Sequence, residues 1–198
     1  MTNVVVSGEV HIGKTTVCRA VADLAQERGY CVHGILTPPI LDSEGTRLGI
    51  EAVDLGSGES RELARVWRGS LRPAAVWRGH REQEADWNWT GPQMGPYFFD
   101  PEVLQWAHDA ISRGIALDCD LIIIDEIGRL ELELNLGFSQ VLDLLETSVL
   151  VRSLLVVRAS LMEAFRQRLP KLEFVTFIVT PDNRGDLAAE IAARLFLS

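Results

Sequence analysis

The sequence predicts an α/β fold of three layers, with a mostly parallel central sheet, helices on both faces and a β-hairpin extension. Three observations carry that expectation. Short apolar runs alternate with amphipathic helical stretches, a glycine-rich loop follows directly on an apolar run, and a later apolar run ends in two adjacent acids. The loop is Gly8-Glu9-Val10-His11-Ile12-Gly13-Lys14-Thr15-Thr16, preceded by Val4-Val5-Val6; the acids are Asp125 and Glu126, after Leu121-Ile122-Ile123-Ile124.

Taken in order, residues 3–6 read as the first strand, and the helix-forming run after the loop covers residues 17–28, closed by Gly29. A second strand is expected over residues 31–36. Residues 48–55 alternate as a half-exposed strand does, after the turn-rich Asp42-Ser43-Glu44-Gly45, and are expected to form an antiparallel hairpin extension with Ile35-Leu36. Asp100-Pro101-Glu102 opens a helix that ends near Gly114, because an acid caps free amides and proline is tolerated in the first turn. Strands follow at residues 121–124, 154–157 and 174–179; Ser160 starts a short helix that ends before Pro170, and Asp182 starts the last one. Residues 67–95 lack clear periodicity and hold Trp67, Trp77, Trp87 and Trp89 among arginines and prolines. They are a candidate lid, with indole rings stacking on a base or an arginine plane. A surface loop anchored by its tryptophans is the alternative.

With 198 residues, 47% of them hydrophobic and 24% charged, residues 1–198 fit one domain with enough length for a sheet covered on both faces. A net charge of −9 argues against a broad nucleic-acid surface, so an anionic substrate must be held locally. Cys18, Cys31 and Cys119 have neither paired nor metal-ligand spacing and read as reduced core thiols. No signal peptide is legible, which together with the thiols points to the cytoplasm. The most apolar stretches, residues 121–124 and 149–157, are short or broken by Arg152, so no membrane span is expected. A monomer is expected.

The spacing Gly-four residues-Gly-Lys-Thr lets the backbone amides of residues 8–14 point inward around phosphate oxygens. Lys14 is placed to reach the β- and γ-phosphates, the Thr15 hydroxyl to bind Mg²⁺, and the helix beginning there adds the positive end of its dipole. His11 stands where many such loops carry a third glycine, so its side chain must point away from the phosphates; a protonated imidazole there can also donate a hydrogen bond. Asp125, at the carboxyl end of a parallel strand, suits holding Mg²⁺ through water. Glu126 suits orienting a water for attack on the γ-phosphorus, which favours hydrolysis over transfer to an acceptor. Arg129 is a candidate for neutralising charge on the transferring phosphoryl group in cis, pairing with Glu131 or Glu133 being the alternative. A nucleotide or small-metabolite kinase and a nucleotide-dependent regulatory switch are the competing readings.

With both motifs in place, the chain resembles the cancer-related nucleoside-triphosphatase family, small phosphate-loop enzymes with thermostable prokaryotic relatives. Gly8 to Thr16 corresponds to that family's loop, with His11 as the departure, and Gly34-Ile35-Leu36-Thr37 resembles its Gly-Phe-x-Thr element. Gly45-Thr46-Arg47-Leu48-Gly49 resembles the Gly-x-Arg-x-Gly turn, and Asp125-Glu126-Ile127-Gly128-Arg129-Leu130-Glu131-Leu132 resembles the stretch Asp-Glu-Ile-Gly-Lys-Met-Glu-Leu. Val179-Thr180-Pro181-Asp182-Asn183-Arg184 is similar to a Val-Thr-x-Glu-Asn-Arg element, and only residues 67–95 fall outside the match. The resemblance implies a P-loop NTPase fold related to nucleotide kinases and slow, Mg²⁺-dependent hydrolysis of ATP, GTP and other nucleoside triphosphates with loose base selection. Asn183 and Arg184 are then candidates for bordering the base, with capping and salt bridging to Asp182 or Asp186 as the alternative.

Overall fold

A computed structural model describes residues 2–67, 91–147 and 151–197. β1 (Asn3–Ser7) leads through the glycine-rich loop into α1 (Lys14–Glu27), and β2 (Val32–Leu36) follows. Next come β3 (Pro39–Leu41), β4 (Arg47–Asp54), β5 (Ser60–Val66), β6 (Gln93–Met94) and β7 (Tyr97–Phe99). Alternation returns with α2 (Pro101–Ala116), β8 (Leu121–Ile127), α3 (Arg129–Leu132), α4 (Ser139–Thr147) and β9 (Arg152–Val157). A 3₁₀ turn (Ala159–Leu161) runs into α5 (Met162–Arg168), and β10 (Val175–Ile178) and α6 (Leu187–Phe196) complete the chain.

The sheet order is β10-β1-β9-β8-β2-β4-β5-β7-β6, with β3 against β4. The first five strands of that order run parallel, and the pairings from β4 outward are antiparallel. Side chains alternate between two cores: Val4, Val6, Leu121, Ile123, Leu154 and Val156 face α1 and α6, while Val5, Ile122, Ile124, Leu155 and Val157 face α2, α4 and α5. Burial on both faces is why these strands read as continuous apolar runs. Each such side chain contributes about 1.5–3 kcal/mol when fully buried. Among the described residues, no helix is long and apolar enough to cross a membrane.

The expected hairpin forms, with Ile35 opposite Asp54 and Leu36 opposite Val53, but the antiparallel part extends further, through β5 to β7. Ser60–Val66 alternates weakly and carries several charges, and β6 and β7 are very short, so neither periodicity nor length announces them. Trp67 lies at the end of β5, its amide donating to the Pro96 carbonyl at 2.8 Å and its ring edge-on to Phe98. Residues 91–95 of the candidate lid include β6, and the rest of it, residues 68–90 with Trp77, Trp87 and Trp89, lies outside the described residues.

Three expectations need correction. α1 starts at Lys14 and not three residues later, because Gly13, at φ 107°, turns the chain in a left-handed conformation and makes the motif itself the first helical turn. The last helix starts at Leu187 and not at Asp182. The Thr180 amide donates to Asn183 Oδ1 at 2.8 Å and the Asn183 amide to Thr180 Oγ1 at 3.3 Å, which holds the chain in a turn before the helix. Cys18 and Cys119 are buried free thiols as expected, but Cys31 is an exposed one, since it precedes β2 instead of lying within it.

One glycine links the fold to the site. Gly34 sits at φ +118°, and a Cβ there would lie 1.9 Å from the Ile123 carbonyl oxygen. Only the missing side chain lets β2 lie against β8 in this register, which brings Thr37, just past β2, beside Asp125.

Candidate active site

The loop between β1 and α1 closes at the carboxyl edge of the parallel strands. Lys14 Nζ donates to the carbonyls of Gly8 at 3.0 Å and Glu9 at 2.5 Å, so its ammonium folds back over the loop. Burial, followed by the nearby Arg158 guanidinium, holds its pKa below the ordinary lysine range. α1 has neither a side-chain cap nor an acid in its first turn, so its first-turn amides and positive dipole end are left free for an anion. Val10, His11, Gly13, Lys14, Thr15 and Thr16 line one side of a cleft of ≈ 220 Å³. That is below the roughly 300–1,000 Å³ of pockets enclosing a whole small molecule. The size suits a polyphosphate tail. His11 is exposed and adopts φ 64°, the left-handed region that favours glycine at that position.

Asp125 forms the opposite wall and is only 1% exposed. Its Oδ2 accepts from the Thr37 amide at 3.0 Å, while the Thr37 hydroxyl donates to the Asp125 carbonyl at 3.1 Å. Burial raises its pKa, opposed by the hydrogen bonds from Thr37 and Thr15 and by the charge of Lys14. The two expected metal ligands, Thr15 and Asp125, therefore meet. Among the described residues no group of three or more His, Cys, Asp or Glu is placed to hold a metal by itself. One hydroxyl and one buried carboxylate fit Mg²⁺, which keeps several waters and takes its remaining oxygens from substrate phosphate.

Glu126 occupies the same cleft through a distortion of β8. The register of β8 against β9 shifts between Ile124 and Ile127, and Glu126 adopts φ 75°. A bulge of this kind re-aims a side chain and costs of order 1–3 kcal/mol in backbone strain. The carboxylate pairs with the Arg158 guanidinium. Arg158 and Arg47 also line the cleft, and neither is among the site residues expected from sequence. Arg47 donates to the Tyr97 hydroxyl at 3.2 Å.

Arg129 lies elsewhere. It opens α3, is 61% exposed and directs Nε to both carboxylate oxygens of Glu133 at 2.8 Å, outside the cleft lining. Asn183 braces the turn before α6, donating Nδ2 to the Ile178 carbonyl at 2.9 Å, and the Arg184 stem lies beside Gly13 at the loop's edge. Neither lines the cleft.

Glu131 has an architectural part. Buried at 3% exposure, it accepts from the Gly128 amide at 2.9 Å and the Phe138 amide at 3.3 Å, tying down the segment after the two acids. Burial raises its pKa from the ordinary 4.5, so the folded state binds its proton more tightly than the unfolded chain does. Its contribution to stability is then complete below the unfolded value and is lost as pH rises through the folded one. Glu131→Gln stays neutral throughout, so the wild type's stability relative to this variant should decline as pH is raised above 4.5. Paired thermal midpoints across pH check this, and a constant difference would contradict it.

An amide-lined loop opening a helix, with a buried acid and a second acid facing it at the carboxyl edge of parallel strands, defines a P-loop nucleotide-binding protein. Comparison with known proteins narrows the class. The NTPase family model matches residues 3–192, and the chain belongs to that family. Nucleoside-triphosphatase THEP1 of Methanosarcina barkeri is 33% identical over 195 residues, covering 98% of this chain and 97% of the relative. That of Pyrococcus abyssi is 33% identical over 187 residues, 94% of this chain and 88% of the relative. With that of Methanopyrus kandleri the identity is 36% over 133 residues, 67% of this chain and 61% of the relative. The solution structure of a human cancer-related nucleoside triphosphatase superposes with a TM-score of 0.72 at 23% identity, covering 100% of this chain and 99% of that one. The crystal structure of THEP1 from Aquifex aeolicus gives 0.64 at 21%, covering 98% and 99%. These two share the fold.

Proposed function

We propose that this chain, acting as a single domain, hydrolyses nucleoside triphosphates to diphosphates and phosphate in this one cleft, with Mg²⁺ and loose base selection. The observation that carries the reading is the convergence of Lys14, Thr15, Asp125 and Glu126 on the same walls, from segments more than a hundred residues apart. The loop amides and the Lys14 ammonium hold the β- and γ-phosphates. Thr15 and Asp125 would hold Mg²⁺, which would supply positive charge to offset that developing on the transferring phosphoryl group. Glu126 accepts a hydrogen bond from a water and then its proton. As the new O–P bond forms, the bond from phosphorus to the β–γ bridging oxygen breaks, and that oxygen leaves with the electron pair on the diphosphate. The cleft takes the tail and leaves the base toward Arg184, which supports tolerance of different bases.

Phosphate release across the common nucleoside triphosphates tests this. Release is expected with each of them, within about tenfold of one another, and is expected to stop when Mg²⁺ is chelated. Release that persists under chelation, or release from one base alone, would contradict the respective part.

A further inference from the structure

Resting on the hydrolytic reading of the cleft, we propose that Arg158 recognises the terminal phosphate: it holds Glu126 while no triphosphate is present and frees it by pairing with the γ-phosphate when one arrives. The topology places it for this. β9 lies between β1, which carries the loop, and β8, which carries the acids, so the end of β9 opens midway between Lys14 and Glu126. Arg158 is the first residue past that end, and its guanidinium lines the same cleft as Lys14 and Thr15. It is near enough to Lys14 to disfavour the ammonium charge, and with Arg47 three cations line one small space whose only acids, among the described lining residues, are Asp125 and Glu126.

The Arg158–Glu126 pair is suited to exchange. Its side chains are 43% and 31% exposed, so water screens the attraction and holding it is worth little. A terminal phosphate carries more charge and offers oxygens that match the two-pronged guanidinium. When a triphosphate enters, the guanidinium therefore moves to phosphate and the carboxylate becomes free to take a water. A diphosphate places no phosphate at that point, and Glu126 stays paired. The strained bulge at Glu126 then has a use: it turns the carboxylate from the line of β8 to the end of β9, where both partners of the exchange lie.

The test uses the full chain as wild type, Arg158→Ala and Arg158→Lys. Equilibrium titration with Mg²⁺ and either a non-hydrolysable triphosphate analogue or a diphosphate is paired with kcat and KM from phosphate release. Arg158→Ala is expected to lose about tenfold or more in triphosphate affinity with diphosphate affinity unchanged, and about a hundredfold in kcat. Arg158→Lys should recover part of the binding and little of the rate, because a point charge lacks the fork. An alanine variant with wild-type discrimination and wild-type kcat would overturn the proposal, as would equal loss of both affinities. Those results require a wild type that releases phosphate; a wild type that releases none would defeat the hydrolytic reading instead, and the binding arm is read without any turnover.

Discussion

Lys14→Ala is expected to weaken triphosphate binding by about a hundredfold or more and to bring phosphate release down to background. A charge-assisted hydrogen bond contributes roughly 1.5–3 kcal/mol, and about 2.7 kcal/mol corresponds to a hundredfold in affinity. The ammonium rests on the Gly8 and Glu9 carbonyls, which are themselves part of the loop. Phosphate entry exchanges neutral carbonyl partners for charged oxygens, and that gain is what the substitution removes. Calorimetric titration with a triphosphate, beside a thermal-unfolding scan, separates lost binding from lost structure. A variant that binds like wild type would show that the loop is not the phosphate site.

Glu126→Gln is expected to leave triphosphate affinity within a few-fold of wild type and to depress kcat by about 10²–10⁴. The amide keeps the size of the carboxylate, and its oxygen still accepts from Arg158, so the bulge and the cleft wall persist. What disappears is the capacity to take a proton from water. Single-turnover phosphate release at saturating triphosphate measures the step directly, and unchanged turnover would remove Glu126 from its assigned role.

Much of this was legible in the residues because local chemistry demanded it. A loop that wraps phosphate needs glycines, a lysine and a hydroxyl at one spacing, and a strand buried on both faces that ends in Asp125-Glu126 advertises a polar edge. The pairing of residues 48–55 with the end of β2 could be read from alternation after a turn. Arg158 could not. It follows an apolar strand like any surface arginine, and its meaning comes from β9 lying between β1 and β8, a neighbour relation with no local signature. Thr37 has no legible role in sequence beyond its place in a family-like element, since its hold on Asp125 exists only through the register of β2 on β8. Arg129 looked well placed by its closeness in sequence to the acids, yet α3 turns it to Glu133. Glu131 reads as surface charge in sequence and is buried because two backbone amides at Gly128 and Phe138 need an acceptor.

The most direct measurement is the fate of the solvent oxygen when a nucleoside triphosphate is turned over with Mg²⁺ in water enriched in heavy oxygen. Attack by a Glu126-directed water on the γ-phosphorus predicts heavy oxygen in the released phosphate and none in the diphosphate. Heavy oxygen in the diphosphate, or the γ-phosphoryl group recovered on an added nucleoside or monophosphate in place of water, would contradict it.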